Sequence, residues 1–137
     1  MGDSELSHYE VDAARVSPKR TRIDTGDAEF VVGKDVNPVE YFLGSVLACL
    51  NSTGTMVARD MDIDIESLEA TVESDVNYAT YRGEASEDRT GLQGLEVTLS
   101  VETADAADLD AWLAAVKDRC PVTDNVENET TLSVTLE

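Results

Sequence analysis

Two cysteines, Cys49 and Cys120, are the residues of this sequence best suited to chemistry. A cysteine thiolate is a strong nucleophile, and two thiols that meet can cycle between a dithiol and a disulfide. The two residues are far apart in the chain, so their spacing does not show that they meet. The residues alone leave two interpretations open, a redox pair and two unrelated thiols.

Other familiar kinds of site lack the residues they need. The chain has a single histidine, His8, and no Cys-x-x-Cys pair, so a metal site is not predicted. A Cys–His hydrolase would need His8 beside a cysteine, but we expect His8 to be an exposed residue of the first strand. The glycines at 91 and 94 are not followed by a helical pattern, which argues against a phosphate-binding loop. We therefore expect no metal and no cofactor.

The element that carries Cys49 is predicted to be a long, buried central helix. Asn37, Pro38 and Glu40 form a capping-box pattern at its start, and the helix should fray near residues 59–60. Hardly any residue between 41 and 50 is polar, which is typical of a helix buried on all sides. Cys49 shares a stripe with Phe42, Ser45, Val46 and Met56. The simpler alternative for Cys49 is a small apolar core residue.

Cys120 is predicted to lie at a boundary between two helices. Residues 105–118 have the spacing of an amphipathic helix, and 122–126 predict a short helix that Pro121 can begin. Cys120 could then be the N-cap, where free N–H groups and the helix dipole favour a thiolate. A cysteine that merely separates two helices remains an equally good interpretation.

The remaining elements predict an α+β fold rather than a repeating β-α-β unit. Residues 78–91 read as a polar loop, and the strictest alternation of apolar residues covers 95–101. We expect a mobile acidic tail over residues 1–7 and a single domain over 8–137. Strands are predicted as a short series within 6–16 and 20–32, then over 65–76, 95–101 and 132–136.

The charge of the chain limits its partners. Twenty-nine acidic residues against ten basic ones give a formal net charge of −19, and the acids are spread along the chain. Such a surface repels phosphate backbones and anionic membranes, so nucleic acid and membrane surfaces are not expected as partners. No secretory leader and no apolar run of about 18 residues is evident. We therefore expect a cytoplasmic protein with reduced cysteines, in a halophilic, salt-rich cytosol.

Removing salt should destabilise this protein. At low ionic strength its dispersed acidic side chains repel one another, and molar salt screens that repulsion. We expect the melting temperature to rise from dilute buffer to molar KCl, as followed by circular dichroism. A melting temperature that does not change with salt would show that the acidic surface is not a salt adaptation.

Two segments resemble the signatures of the OsmC family. Residues 37–50, Asn-Pro-Val-Glu-Tyr-Phe-Leu-Gly-Ser-Val-Leu-Ala-Cys-Leu, resemble its central helix, with an Asn-Pro start and a cysteine about three turns later. Residues 119–125, Arg-Cys-Pro-Val-Thr-Asp-Asn, resemble its second signature, a Cys-Pro-Val step after the penultimate helix. The order of the elements between them also matches, so the resemblance covers most of residues 8–136.

The resemblance implies an OsmC-like fold, an intertwined homodimer with the long helices at its centre, and a stress-response function as a thiol peroxidase. Well-studied members reduce organic hydroperoxides. Carried over by position, Cys49 attacks the peroxide and becomes a sulfenic acid, and Cys120 condenses with it to a disulfide. A dithiol reductant then reopens the disulfide. The helix-terminus argument instead gives Cys120 the more stable thiolate.

The sequence departs from the family where the thiolate should be stabilised. In the peroxidase members an arginine held by a glutamate does this, and the glutamate commonly follows the Asn-Pro pair directly. Here that position is Val39, and Glu40 comes one residue later, about 100° further round a helix. Glu40 also has a sufficient role in the capping box. The arginine could be residue 15, 20 or 22, and Arg22 is preferred because it lies within a predicted strand.

Two functions of different classes are therefore carried forward. The first is reduction of organic or lipid hydroperoxides by the cysteine pair. The second is a redox-sensing or small-molecule-binding module that keeps the fold and the thiols without turnover, which the valine at position 39 motivates. A third reading places two structural cysteines in an unrelated fold.

Overall fold

A computed structural model describes residues 5–137 of the chain, which forms two compact units, Met1–Phe42 and Leu43–Glu137. The predicted tail over residues 1–7 thus lies largely outside the described residues, and the single domain over 8–137 stays a prediction. The elements in chain order are β1 (Asp12–Ser17), β2 (Arg20–Asp24), β3 (Glu29–Val32), α1 (Pro38–Asp60), β4 (Ile65–Glu73), α2 (Tyr78–Tyr81), β5 (Glu96–Thr103), α3 (Leu109–Arg119) and α4 (Pro121–Glu127).

The first unit is built on an antiparallel sheet in the order β1-β2-β3. The β2–β3 turn closes through Asp24, whose side chain accepts a hydrogen bond from the N–H of Gly26 at 2.8 Å. At the end of β3, Gly33 has a φ of +95°, and a Cβ there would collide with the backbone carbonyl of Lys19. Only glycine therefore fits where the chain leaves the sheet.

The predicted first strand is shorter than the sequence indicated. It begins at Asp12 instead of within residues 6–11, so the placement of His8 in a strand is wrong, although His8 is exposed as expected. The physical reason is the register, since Asp12 pairs with Asp24, the last residue of β2. Beyond this pair β2 turns away, and residues 6–11 have no strand of this ladder to pair with.

The start of α1 confirms the predicted capping box. The backbone N–H of Asn37 donates to Glu40 Oε1 at 3.0 Å, and the N–H of Glu40 donates to Asn37 Oδ1 at 2.9 Å. Each side chain thus satisfies a backbone donor that the first helical turn leaves free. Glu40 is fully engaged in starting the helix.

Burial of α1 differs from the prediction. One face is buried, whereas Tyr41, Phe42 and Met56 are about two-fifths exposed. Of these, Tyr41 stacks against Phe30, with 5.8 Å between the ring centroids. The buried residues of α1 are Val46, Leu50, Thr53, Gly54, Val57 and Ala58.

Among residues 5–137, α1 is also the one helix that could cross a membrane by its length and composition. The sequence had suggested no apolar run of that length. The difference arises because the mean hydropathy over 18 residues of the helix stays high even though polar residues such as Asn51 and Ser52 lie in its middle. A core helix of a soluble protein passes the same test, so this finding is weak evidence for a membrane span.

The second unit packs α1 and α3 with the antiparallel β4–β5 pair. Strand β5 confirms the predicted alternation, since Val97, Leu99 and Val101 turn inward between exposed polar neighbours. A bulge between Ile65 and Ser67 shifts the register of β4. The buried core consists of Val46, Leu50, Val57, Ala58, Trp112, Val116 and Cys120.

Three other elements of the second unit differ in their bounds or are missing. The polar loop over 78–91 contains the short helix α2. Helix α3 begins at Leu109 rather than at 105, because the Asp108 side chain caps it by accepting from the N–H of Ala111 at 3.1 Å. The predicted final strand is wrong: residues 128–137 form no strand, and Leu132, Val134 and Leu136 are 84%, 82% and 100% exposed.

Candidate active site

The two cysteines meet in the second unit. The thiol of Cys120 donates to Cys49 Sγ across 3.1 Å, and both residues are free thiols. A disulfide requires a sulfur–sulfur distance of about 2.05 Å, so an approach of about 1 Å would close one. Cys120 is only 1% exposed, whereas Cys49 is partly exposed. A reagent from solution can therefore reach Cys49 more easily.

Cys120 is held by the helices on either side of it. Cys120 is the C-cap of α3 and the N-cap of α4. Pro121 is the first residue of α4, as the sequence predicted. Arg119 donates from Nη1 to Asp60 Oδ2 at 3.1 Å, which ties the end of α3 to the end of α1. Both charges are about half exposed, so this ion pair orients more than it stabilises.

A close approach between α1 and α3 holds these two helices together near the cysteines. The Trp112 indole Nε1–H donates to the Gly54 carbonyl at 2.9 Å, and the indole is 2% exposed. A Cβ on Gly54 would lie 2.7 Å from Trp112 Cζ2. The glycine therefore permits the indole to lie directly against the backbone of α1, one turn beyond Cys49.

Two threonine hydroxyls surround the sulfur pair. Thr53 Oγ1 lies 3.8 Å from Cys49 Sγ, a distance at which either atom can be the donor. Thr123, in the first turn of α4, donates from its hydroxyl to the Cys120 carbonyl at 3.2 Å. Hydroxyls can donate to a thiolate, so these side chains suit a site that carries a negative charge.

The polar groups around Cys120 outweigh its burial. Burial raises the pKa of the Cys120 thiol, but the hydroxyl and backbone N–H of Thr123 lower it. The Cys49 thiol and the Thr53 hydroxyl lower the pKa further, so it falls below the ordinary value. The surroundings of Cys120 thus favour its thiolate form.

An apolar cavity of about 470 Å³ in the second unit is lined by neighbours of the two cysteines, although neither cysteine lines it. Its wall includes Val46 and Leu50, which flank Cys49 on α1, and Thr123, which contacts Cys120. Two of its ten lining residues are charged, Lys117 and Glu127. The remaining lining residues are Leu95, Val97, Leu99, Leu113 and Val126.

Arg22 lies on β2, in the first unit, as predicted for a strand residue. Its Nε is 3.9 Å from Glu29 Oε1, and both side chains are more than half exposed. The carboxylate beside this arginine is therefore Glu29, at the start of β3, and not Glu40. Arg15 is also a strand residue, in β1. Any role of these arginines at the thiols stays a prediction.

No group of three or more His, Cys, Asp or Glu within residues 5–137 is placed to hold a metal ion.

The family model for OsmC-like proteins matches residues 31–135. The chain belongs to the OsmC family. That assignment covers both cysteine segments and overturns the reading of two cysteines in an unrelated fold. Among curated proteins, no sequence matches this OsmC-family chain.

Solved structures show the same OsmC-like α+β fold. An OsmC-like protein of Mycoplasma pneumoniae superposes with a TM-score of 0.77 at 14% identity, over 90% of this chain and 89% of that one. An organic hydroperoxide resistance protein OsmC of Legionella pneumophila gives 0.61 at 19% identity, over 90% and 91%. The organic hydroperoxide resistance protein OhrB of Bacillus subtilis gives 0.57 at 20%, over 91% and 94%. The predicted fold class is confirmed.

Sequence reasoning overlooked two contributors to the thiol site of this OsmC-family chain and, in the first unit, the partner of one arginine. They are Thr53, the contact of Gly54 with Trp112, and Glu29 as the carboxylate beside Arg22. Thr53 could have been found, because residues four apart on a helix share a face and Thr53 follows Cys49 by four. The other two depend on contacts between separate elements.

Proposed function

We propose that this protein reduces organic or lipid hydroperoxides through a thiol–disulfide cycle of Cys49 and Cys120. The observation that carries the proposal is the distance of 3.1 Å between the two sulfurs. Membership of the OsmC family and the likeness to organic hydroperoxide resistance proteins support it. The apolar cavity whose wall includes Val46, Leu50 and Thr123 offers space for the organic part of such a peroxide.

The first step is attack by the Cys49 thiolate on the peroxide. Cys49 is the more accessible thiol, and once it has lost its proton to solvent, the Cys120 thiol stabilises the Cys49 thiolate by donating to its sulfur. The thiolate sulfur attacks one peroxide oxygen, the O–O bond breaks with its electron pair going to the alkoxide, and a proton converts that to an alcohol. Cys49 is oxidised to a sulfenic acid and the peroxide is reduced.

The second and third steps restore the thiols. The Cys120 thiolate attacks the sulfenic sulfur, the S–O bond breaks, and the oxygen leaves as water after protonation. A disulfide joins Cys49 and Cys120. An external dithiol then exchanges with that disulfide, which returns both cysteines to thiols and oxidises the reductant.

The proposed assembly is a homodimer in a salt-rich cytoplasm. Two apolar surfaces of the chain support this: the exposed face of α1 with Phe42 and Met56, and the alternating Leu132, Val134 and Leu136 at the C-terminus. Both would be costly to leave in water, and a second copy could cover them. Arg22 is the proposed cation for the thiolate, with Glu29 holding it.

The test is the intact mass and free-thiol count of the reduced protein after stoichiometric cumene hydroperoxide in high salt. We expect loss of two hydrogen atoms and of both thiols within one chain, followed by repeated turnover when a dithiol is supplied. Survival of both thiols would overturn the proposal. A single oxidation without turnover would instead indicate the redox-sensing module.

A further inference from the structure

Thr53 stands out among the residues of α1 because it is polar and buried. It is 6% exposed, and it is the one buried polar or charged residue within residues 5–137. A buried hydroxyl is costly unless it has a hydrogen-bond partner, whereas valine of nearly the same shape carries no such cost. An otherwise apolar core therefore holds a hydroxyl at a position that valine could fill.

The hydroxyl of Thr53 is directed differently from its neighbours on the same helix. Ser52 donates to the Ala48 carbonyl at 3.0 Å, and Thr55 donates to the Asn51 carbonyl at 2.9 Å. Both follow the common pattern in which a helical hydroxyl bonds to the carbonyl one turn back. The Thr53 hydroxyl lies instead against Cys49 Sγ, at 3.8 Å.

We propose that Thr53 is a positioning residue of the thiol pair, whose hydroxyl orients Cys49 Sγ toward Cys120 and supports the negative charge that the two sulfurs share. This inference deepens the proposed function and rests on it only for the peroxide step. The reduced pair with one proton removed carries one negative charge, and because Cys120 is buried and Cys49 only partly exposed, water screens that charge only in part. A hydroxyl that can turn its hydrogen toward either sulfur stabilises that charge.

The surroundings of Thr53 keep this hydroxyl in place. The next residue, Gly54, accepts the hydrogen bond from the buried Trp112 indole, which fixes this turn of α1 against α3. Thr53 is also among the groups that lower the pKa of Cys120. The Thr53 side chain thus contacts the thiol of Cys49 and also lowers the pKa of Cys120.

The variants Thr53→Val and Thr53→Ala remove the hydroxyl, Thr53→Ser keeps it, and Thr55→Val removes a back-bonded hydroxyl two residues away as a matched control. In each reduced protein, thiolate absorbance at 240 nm is measured against pH in molar salt. We expect Thr53→Val and Thr53→Ala to raise the midpoint of the first titration by about one pH unit. Thr53→Ser and Thr55→Val should titrate as the wild type.

The peroxide arm uses the same four variants. Below the wild-type midpoint, the rate of disulfide formation with stoichiometric cumene hydroperoxide should fall about tenfold in Thr53→Val and recover in Thr53→Ser. The melting temperature of Thr53→Val should equal or exceed that of the wild type, which a merely structural role would not allow.

The outcomes separate the two proposals. A titration of Thr53→Val that matches the wild type would overturn the role of Thr53, whatever the peroxide does. If the titration of Thr53→Val shifts while the thiols of the wild type survive the peroxide, the role of Thr53 is supported and only the proposed function is overturned.

Discussion

Cys49→Ser is expected to abolish peroxide consumption, with a loss on the order of 1,000-fold or more. A serine hydroxyl at that position cannot form the sulfenic acid, and Cys120 is too buried, at 1% exposure, to replace Cys49 as the attacking thiol. Cys120→Ser is expected to behave differently. Cys49 should still be oxidised once, and its sulfenic acid should accumulate because no resolving thiol lies beside it. Peroxide consumption and trapping with dimedone, followed by peptide mass mapping, measure both effects.

The paired design also tests the opposite assignment. The polar groups around Cys120 lower its pKa, which by itself favours Cys120 as the nucleophile. If Cys49→Ser still consumes one peroxide per chain while Cys120→Ser is inert, the two roles are exchanged. Accessibility would then matter less than the stability of the thiolate. Circular dichroism of both variants shows whether either has lost its fold.

Gly54→Ala is expected to destabilise the protein by about 1–3 kcal/mol, because the added methyl overpacks the core against Trp112. The sign of this change in the free energy of unfolding is the informative result. Replacing glycine by alanine inside a helix normally stabilises it by about 0.5–1 kcal/mol. Here a Cβ at 2.7 Å from the ring would force the buried indole to move and weaken its hydrogen bond to the Gly54 carbonyl. Urea unfolding in molar salt measures the change.

Gly44→Ala is the matched control, on the same helix. A Cβ at Gly44 meets nothing within 4 Å, so the ordinary gain in helix stability is expected there. If both substitutions stabilise the protein to the same extent, the close approach of Trp112 to the helix backbone is not a constraint. A loss at residue 54 with a gain at residue 44 supports it.

Local signals predicted the elements that present the cysteines. The pattern Asn37-Pro38-Val39-Glu40 predicted the start of α1 because a capping box is closed by residues three apart. The proline after Cys120 predicted the N-cap position because proline is favoured as the first residue of a helix, and alternation predicted β5. These features depend on neighbours in the sequence, which is why the sequence alone contains them.

Contacts between distant parts of the chain could not be predicted in this way. The sulfurs of Cys49 and Cys120 are 71 residues apart, and the indole of Trp112 is 58 residues from the carbonyl it binds. Neither local pattern specifies its distant partner. The family resemblance supplied the pairing of the two cysteines but not the contact of Trp112 with Gly54. The final strand failed for the opposite reason: alternation at 132–136 favours a strand, but a strand forms only beside a partner.

The buried indole of Trp112 is a natural fluorophore of the protein. It is the only tryptophan of the chain, so all tryptophan emission comes from one site. That site is dry, and its N–H is bonded to the backbone of the helix that carries Cys49, next to the buried hydroxyl. The molecule therefore contains its own optical probe at the junction of the two thiol-bearing segments. Wavelength and intensity would report any slippage of those segments in real time, without a label.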